Sequence, residues 1–140
     1  RAALLRNASA SSSSASAVDG PVMRWPDSSG SGDGMGALVS GVLELEGGCL
    51  YVARYELGER YPALWPAGTR WDADAQAVVT ASGEMLVAGD EVDGGGGYLY
   101  VGDIERLAGE DAAELAQGCL DNTYGEIAVV NNSDSAIDRA

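Results

Sequence analysis

Apolar and polar residues alternate most clearly just before the first of the chain's two cysteines. Leu43 and Leu45 alternate there with glutamates, as in a strand with one face toward a core and one toward water. Gly47 and Gly48 follow at once, and glycine accepts the positive φ angles of a tight hairpin turn. The pattern predicts a β-hairpin in which residues 49–52 pair back on the first strand.

Two stretches further along the chain show the same kind of signal. Residues 78–80 and 84–87 flank Ser82-Gly83, which predicts a second hairpin. In residues 98–101 tyrosine alternates with aliphatic residues, directly after four consecutive glycines. Glycines that lead into a strand indicate a bulge or a close crossing of two backbones.

The hydrophobic period changes after Asp103, where apolar residues begin to recur at helical spacing. Asp103 suits the N-cap of a helix, and Gly118 suits the position just past its C-terminus. Gly109 is a point at which this helix is expected to divide. Cys119 should lie just beyond the helix, and residues 124–130 should return as the last strand.

These elements predict a mainly β fold, a small antiparallel barrel of the OB-like kind with six or seven short strands and one helix before the last strand. A single barrel domain is expected over residues 37–131. Residues 1–36 are rich in Ser, Ala and Gly and bury too little apolar surface to offset ordering entropy, so a disordered tether is predicted there. Residues 132–140 are predicted to be a frayed tail.

The charge of the chain is strongly acidic. Twenty-two carboxylates against eight Lys and Arg residues give a formal net charge of -14, and there is no histidine. A field of this sign repels polyanions, so no nucleic-acid partner is expected. The acidity suits cationic partners or divalent cations, although a solvated surface is the simpler interpretation.

Without histidine, Ser-His-Asp and Cys-His catalytic arrangements are excluded. A non-catalytic role is favoured, while an enzyme based on paired carboxylates stays open.

The two cysteines, Cys49 and Cys119, are 70 positions apart. Neither lies in a Cys-x-x-Cys pair or near a histidine, so a zinc site or a thioredoxin-like role has no basis. We predict a disulfide between them, and the alternative is two unrelated buried thiols in a cytosolic protein. A disulfide indicates an extracellular or cell-envelope location.

Two acidic loops, residues 72–74 and 90–93, are candidate calcium sites. Hard cations such as Ca²⁺ take oxygen ligands from acidic loops with flexible backbones. Neither loop has the spacing of an EF-hand, and acidic turns that face water are the simpler interpretation. The ligands in the calcium hypothesis are Asp72, Asp74, Asp90 and Asp93, and no other cofactor is expected.

The three tryptophans are candidate contacts for a partner. A tryptophan ring stacks on sugars or fills a packing site, and for a lone ring beside a loop packing is the more common role. Docking of an N-terminal strand onto the barrel edge is one such role. The residues concerned are Trp25, Trp65 and Trp71.

Three segments carry a resemblance to a known group of proteins. They are Leu-Trp-Pro-Ala-Gly-Thr at residues 64–69, the glycine-rich residues 89–98, and residues 126–131 behind the second cysteine. Together they resemble uncharacterised small secreted or lipid-anchored β-domain proteins of GC-rich Gram-positive bacteria, over residues 41–131. The resemblance implies export and one compact β-domain, and it implies no catalytic residue. Membrane contact is expected only through an N-terminal anchor, as in a lipoprotein, that these residues do not include.

The leading functional hypothesis is therefore a non-catalytic extracellular or cell-envelope module. It is expected to be a monomer that binds a protein or an envelope component through its β surface. The second hypothesis is a calcium-dependent or carboxylate-based site in the acidic loops 72–74 and 90–93. The second hypothesis requires the two loops to converge around one pocket.

Overall fold

The computed structural model describes residues 17–26, 36–54, 56, 58–131 and 137–139. These residues form eleven strands and two α-helices. The strands are β1 (Val18–Asp19), β2 (Val22–Arg24), β3 (Ala37–Glu46), β4 (Cys49–Arg54), β5 (Glu59–Trp65), β6 (Arg70–Asp72), β7 (Ala77–Val79), β8 (Met85–Val87), β9 (Glu91–Tyr100), β10 (Glu126–Val130) and β11 (Ile137–Arg139). The helices are α1 (Ile104–Ala108) and α2 (Glu110–Cys119).

Five of the strands close into a barrel. β3, β4 and β5 follow one another as an antiparallel meander, and β9 pairs antiparallel with β3. β10 closes the barrel, because it pairs antiparallel with β9 and parallel with β5. The prediction of a mainly β, OB-like barrel with a helical segment before its last strand is confirmed.

Six short strands outside the barrel bring the number of strands above the predicted six or seven. β6, β7 and β8 form a separate three-stranded sheet, which contributes Val78 and Leu86 to the barrel core. β1 and β2 form a hairpin on β5, and β11 pairs with β9. Each of these strands has two or three residues, too few for an alternation pattern to reveal.

The folded part of the chain is longer than predicted at both ends. Residues 17–26 of the predicted tether form β1 and β2 and bury Val22 and Met23. Residues 137–139 of the predicted frayed tail form β11 and bury Ile137. A free strand edge and one or two buried side chains are enough to dock such a segment. Gly36 is the one further residue of the predicted tether that the structure describes. The remaining residues of the tether and the tail lie outside the described part of the chain.

Both predicted hairpins are present. Leu43 pairs with Val52 and Leu45 with Leu50, around Gly47 and Gly48 with φ angles of 61° and 81°. Positive φ at both turn residues is the geometry of a type I′ turn, which matches the twist of the flanking strands. The second hairpin joins β7 to β8.

The helical segment differs in detail from the prediction. Gly109, with a φ of 95°, divides it as expected. Asp103 is the N-cap residue of α1, as predicted, but it ends a 3₁₀ turn (Val101–Asp103) with helical backbone angles, and its side chain caps no amide. Gly118 and Cys119 are predicted just past the C-terminus of the helix, but both lie inside α2, which ends at Cys119. The helix is therefore one or two residues longer than predicted. The helix continues because Gly118 does not adopt a positive φ.

One apolar core fills the barrel, and a second lies between the outside of the barrel wall and the helices. The interior is filled by large side chains such as Trp65, Leu43 and Val52. The second core lies under the helices, where the alanines of α2 pack against Met23, Leu64 and Ile127 from β2, β5 and β10. The helices therefore cover one side of the barrel. Within the described residues, no helix lies over the outer face of β3, β4 and the first half of β9.

β9 runs unusually close to β10, because a Cβ atom at Gly96 would overlap the backbone carbonyl of Val129. β3 and β4 approach as closely, because a Cβ atom at Gly41 would overlap the carbonyl of Ala53. Two strands can approach this closely only where a side chain is absent. Of the bulge and the close crossing that the glycine run predicted, the structure shows a close crossing at Gly96, and the glycines lie within β9 instead of before it.

We expect Gly96→Ala to destabilise the fold by about 3 kcal/mol, because the new methyl group would push β9 away from β10. Urea unfolding measures this change. Gly95→Ala is the matched control, since its Cβ would meet only the side-chain amide of Asn131 at 3.3 Å, and it should stay within about 1 kcal/mol of the native protein. Equal losses in the two variants would contradict the close crossing.

The two cysteines form the predicted disulfide. Their sulfur atoms are 2.07 Å apart and their Cα atoms 5.7 Å apart. The bond joins the first residue of β4 to the last residue of α2. It therefore fastens the end of the helical layer to the barrel.

Replacing both cysteines, Cys49→Ser with Cys119→Ser, should lower the free energy of unfolding by roughly 4 kcal/mol, because a long closed loop no longer restricts the unfolded chain. Urea unfolding again gives the value. The native protein in dithiothreitol should lose a similar amount, and the double variant should not respond to the reductant. Unchanged stability in the double variant would show that the bond contributes little.

Candidate functional site

The structure places all three tryptophans in packing positions. Trp65 points into the barrel and is completely buried, so its predicted role as a partner contact is wrong. The indole nitrogen of Trp25 donates to the carbonyl of Val130 at 2.8 Å, which docks the N-terminal hairpin on the barrel. Trp71 packs against Gly20 and the barrel core. Neither of these two partly buried rings forms an open stacking platform.

The acidic loops of the calcium hypothesis do not assemble into a metal site. In the described ranges, no group of three or more His, Cys, Asp or Glu side chains could hold a metal ion. Asp72 ends β6 and Asp74 lies in the turn that follows, where Asp72 accepts a hydrogen bond from the amide of Ala75 at 3.1 Å. Their carboxylates are therefore local features of that turn.

Asp90 is engaged by other groups. Its carboxylate accepts the amide of Val87 at 2.9 Å and the guanidinium of Arg139 at 3.2 Å. The amide hydrogen bond, followed by Arg139, lowers the pKa of this carboxyl. Asp90 thus fastens β11 to β8, whereas Asp93 lies three residues away on the outer face of β9, opposite Ser40.

A different feature occupies the uncovered side of the barrel. Three shallow clefts of about 300, 260 and 560 Å³ lie on the outer face of β3, β4 and their neighbours. They are contiguous, since the first shares Ala53 with the second, the second shares Val42 with the third, and Glu44 lines both the first and the third. We call this continuous depression, with Val42 and Ala53 in its floor, the acidic groove.

Strand alternation explains the composition of the acidic groove. Leu43 and Leu45 point into the barrel, so Val42, Glu44 and Glu46 point outward. On β9, Val92 points inward and leaves Glu91 and Asp93 on the outer face. Glu91 pairs with Val42 across the two strands, which places the two acidic rows side by side.

Arg60 of β5 is the ionic centre of one end of the groove. Its guanidinium lies 3.1 Å from Glu44 and 2.6 Å from both Glu46 and Asp121. It also lies over the ring of Tyr51, 4.1 Å from the ring centroid. The hydrogen bonds that Arg60 donates to the carboxylates raise its pKa, so this cation is permanent and joins β3, β4 and the segment after α2.

The segment that follows the disulfide is held on β5 by further contacts. The side-chain amide of Asn122 donates to the carbonyls of Arg60 at 3.1 Å and Glu126 at 2.8 Å. Thr123 donates its amide and its hydroxyl to Glu59 at 2.7 and 2.8 Å. These contacts fix the position from which Asp121 reaches Arg60.

Negative charge is not balanced along the groove. Seven carboxylates line it against the guanidiniums of Arg54 and Arg60. Arg60 is saturated by three of the acids, and the closest carboxylate to Arg54 is that of Glu56 at 3.9 Å. Among the described residues, Glu91 and Asp93 form no ion pair, and the Oδ1 atom of Asp93 is buried without a hydrogen-bond partner.

Buried aromatic groups lie where β4, β5 and β9 meet. The rings of Tyr61 and Tyr98 are 4.8 Å apart, and the guanidinium of Arg54 lies 5.3 Å from the centre of the Tyr98 ring. Burial raises the pKa of both tyrosines. They remain neutral at physiological pH and add no charge beside the groove.

Comparison of the chain with protein-family models, with curated proteins and with solved structures found no match. The resemblance to Gram-positive secreted proteins therefore stays a prediction. In the part of the chain that the structure describes, neither helix has the length and apolar character needed to cross a bilayer. Any functional assignment must rest on the groove itself.

Removing the central cation, Arg60→Ala, should destabilise the protein by about 1–2 kcal/mol, because three carboxylates then repel one another without a counter-charge. Added salt should reduce the loss. Arg60→Lys should restore only part of it, since an ammonium lacks the planar fork that bonds several carboxylates.

Arg106→Ala is the matched control for the loss of an arginine. Arg106 is exposed and has one partner, Asp103, at 3.4 Å, so its removal should cost roughly 0.5 kcal/mol or less. Thermal and urea unfolding at two salt concentrations provide the comparison. Equal effects of the two alanine variants would exclude a special role for the Arg60 cluster.

Proposed function

We propose that this chain is a non-catalytic binding module that works in the extracellular space or the cell envelope and binds its partner through the acidic groove. The observation that carries the proposal is the uncovered outer barrel face, where three contiguous clefts lie on side chains from β3, β4, β5 and β9. The outer face of the central strands is a frequent ligand surface in OB-like barrels.

The disulfide supports the location. Structural disulfides persist in oxidising compartments and are rare where thiols are kept reduced. The Cys49–Cys119 bond joins two layers of the fold, so a reducing environment would weaken the whole domain. The lipid anchor suggested by the resemblance would hold the same domain at the envelope.

The shape and composition of the groove support binding without catalysis. It is open and shallow, whereas catalysis usually requires a site that excludes water and orients the reacting groups. The sequence contains no histidine to act as a base near neutral pH. The carboxylates at the Arg60 end are held in ion pairs, which suits a fixed recognition surface.

A steric block at one position tests the proposal. Ser40 lines the 260 Å³ cleft, so Ser40→Trp should fill it without changing the net charge. Gln117→Trp, on the exposed surface of α2, adds the same ring on the opposite side. Both proteins would be immobilised and exposed to a cell-envelope extract beside the native domain.

We expect the native protein and Gln117→Trp to retain the same binding partner, identified by mass spectrometry, and Ser40→Trp to lose it. Circular dichroism and melting temperature establish that both variants are folded. A partner retained by Ser40→Trp and lost by Gln117→Trp would place the binding surface on the helices and reject the groove.

A further inference from the structure

The uncovered sheet face also restricts the chemistry of the partner, and this inference rests on the proposed function. We infer that the acidic groove binds an extended basic peptide segment of a partner protein, with a lysine or arginine side chain at Glu91 and Asp93. Three features of the face support this occupant: its unbalanced charge, its length and the state of its two ends.

The two ends of the groove differ in their ionic state. At one end, Arg60 already fills the space between Glu44, Glu46 and Asp121. At the other end, Glu91 and Asp93 line a cleft of about 260 Å³. In the described part of the chain no guanidinium lies within ion-pair distance of either of them. A cation from a partner would balance the negative charge of Glu91 and Asp93, as Arg60 balances the carboxylates at the other end.

Asp93 adds a more specific requirement. Its Oδ1 atom is buried and has no hydrogen-bond donor among the described residues. Buried carboxylate oxygens are normally hydrogen-bonded, because the loss of hydration is costly. Oδ1 itself is closed to the cleft, but an ammonium or guanidinium group in the cleft would place an opposite charge beside this incompletely solvated carboxylate.

The length of the face favours a peptide over a small cation. The groove follows β3 from Ser40 to Glu46, which at 3.3 Å per residue is about 20 Å. An extended segment of about six residues has that length and presents alternate side chains to the same face. The floor at Val42 and Ala53 can accept small apolar side chains between the basic ones.

Charge complementarity determines the sign of the partner's charge. An acidic segment, a nucleic acid or an anionic lipid surface would be repelled by the carboxylates of the groove. Basic side chains would be attracted and oriented before contact, with an affinity that falls as salt increases. The partner class is therefore a basic protein segment.

Calorimetric titration with a synthetic hexapeptide of alternating lysine and valine provides the test. A hexapeptide of alternating glutamate and valine is the reference for charge. We expect measurable binding of the basic peptide only. The double variant Glu91→Gln with Asp93→Asn should bind it roughly tenfold more weakly, which corresponds to about 1.4 kcal/mol.

The matched control removes the same charge from the helical side. Glu105→Gln with Glu114→Gln changes two carboxylates that line a separate cleft between α1 and α2, and we expect less than a twofold change in affinity. Glu91→Gln alone, at an exposed position, is the second groove variant in case the double variant does not fold. It should show a smaller loss of affinity.

Equal weakening by the two double variants would mean that the peptide senses only net charge, and this would overturn the inference. Absence of binding to the basic peptide would also overturn it. The proposed function would not be affected by that result, because the comparison of Ser40→Trp with Gln117→Trp tests the groove without assuming the charge of the partner. A partner lost by Ser40→Trp but lacking a basic segment would separate the two conclusions directly.

Discussion

The covalent bond between β4 and α2 is the constraint on which much of the remaining structure depends. The helix contributes mainly alanines to its contact with the barrel, and small side chains bury little apolar surface. The disulfide therefore holds in place a helical layer that packing alone would hold weakly. The same bond starts the segment that carries Asp121 to Arg60, so the disulfide and the acidic groove are parts of one arrangement.

The molecule has two unlike sides around the same barrel wall. On the helical side, apolar residues of β5 and β10 are covered by α1 and α2. On the other side, acidic residues of β3 and β9 surround a small apolar floor. Because a barrel wall must alternate inward and outward residues, the interior stays apolar on both sides. Only the outward residues decide which side is covered and which is left for a partner.

The sequence allowed the barrel to be predicted but revealed little of the groove. Leu43, Leu45 and the paired glycines identify the first hairpin because alternation and turn chemistry are local properties. The strands of the N-terminal hairpin and of β11 are too short to show a period. The contact between Arg60 and Asp121 spans 61 positions, and no local pattern indicates it. Trp65 illustrates a related limit, because whether it faced inward depended on the strand register, which the pattern left open.

The glycine run in β9 has a consequence for the motions of the domain. Gly94 pairs with β3 on one side and with β11 on the other, and Gly96 lies between β3 and β10. A run of glycines has more conformational freedom than any other segment of an unfolded chain. In the folded barrel Gly94 and Gly96 are paired on both edges, so this part of the backbone is held from two sides. The stretch with the most freedom in the unfolded chain is therefore held between neighbouring strands in the folded one.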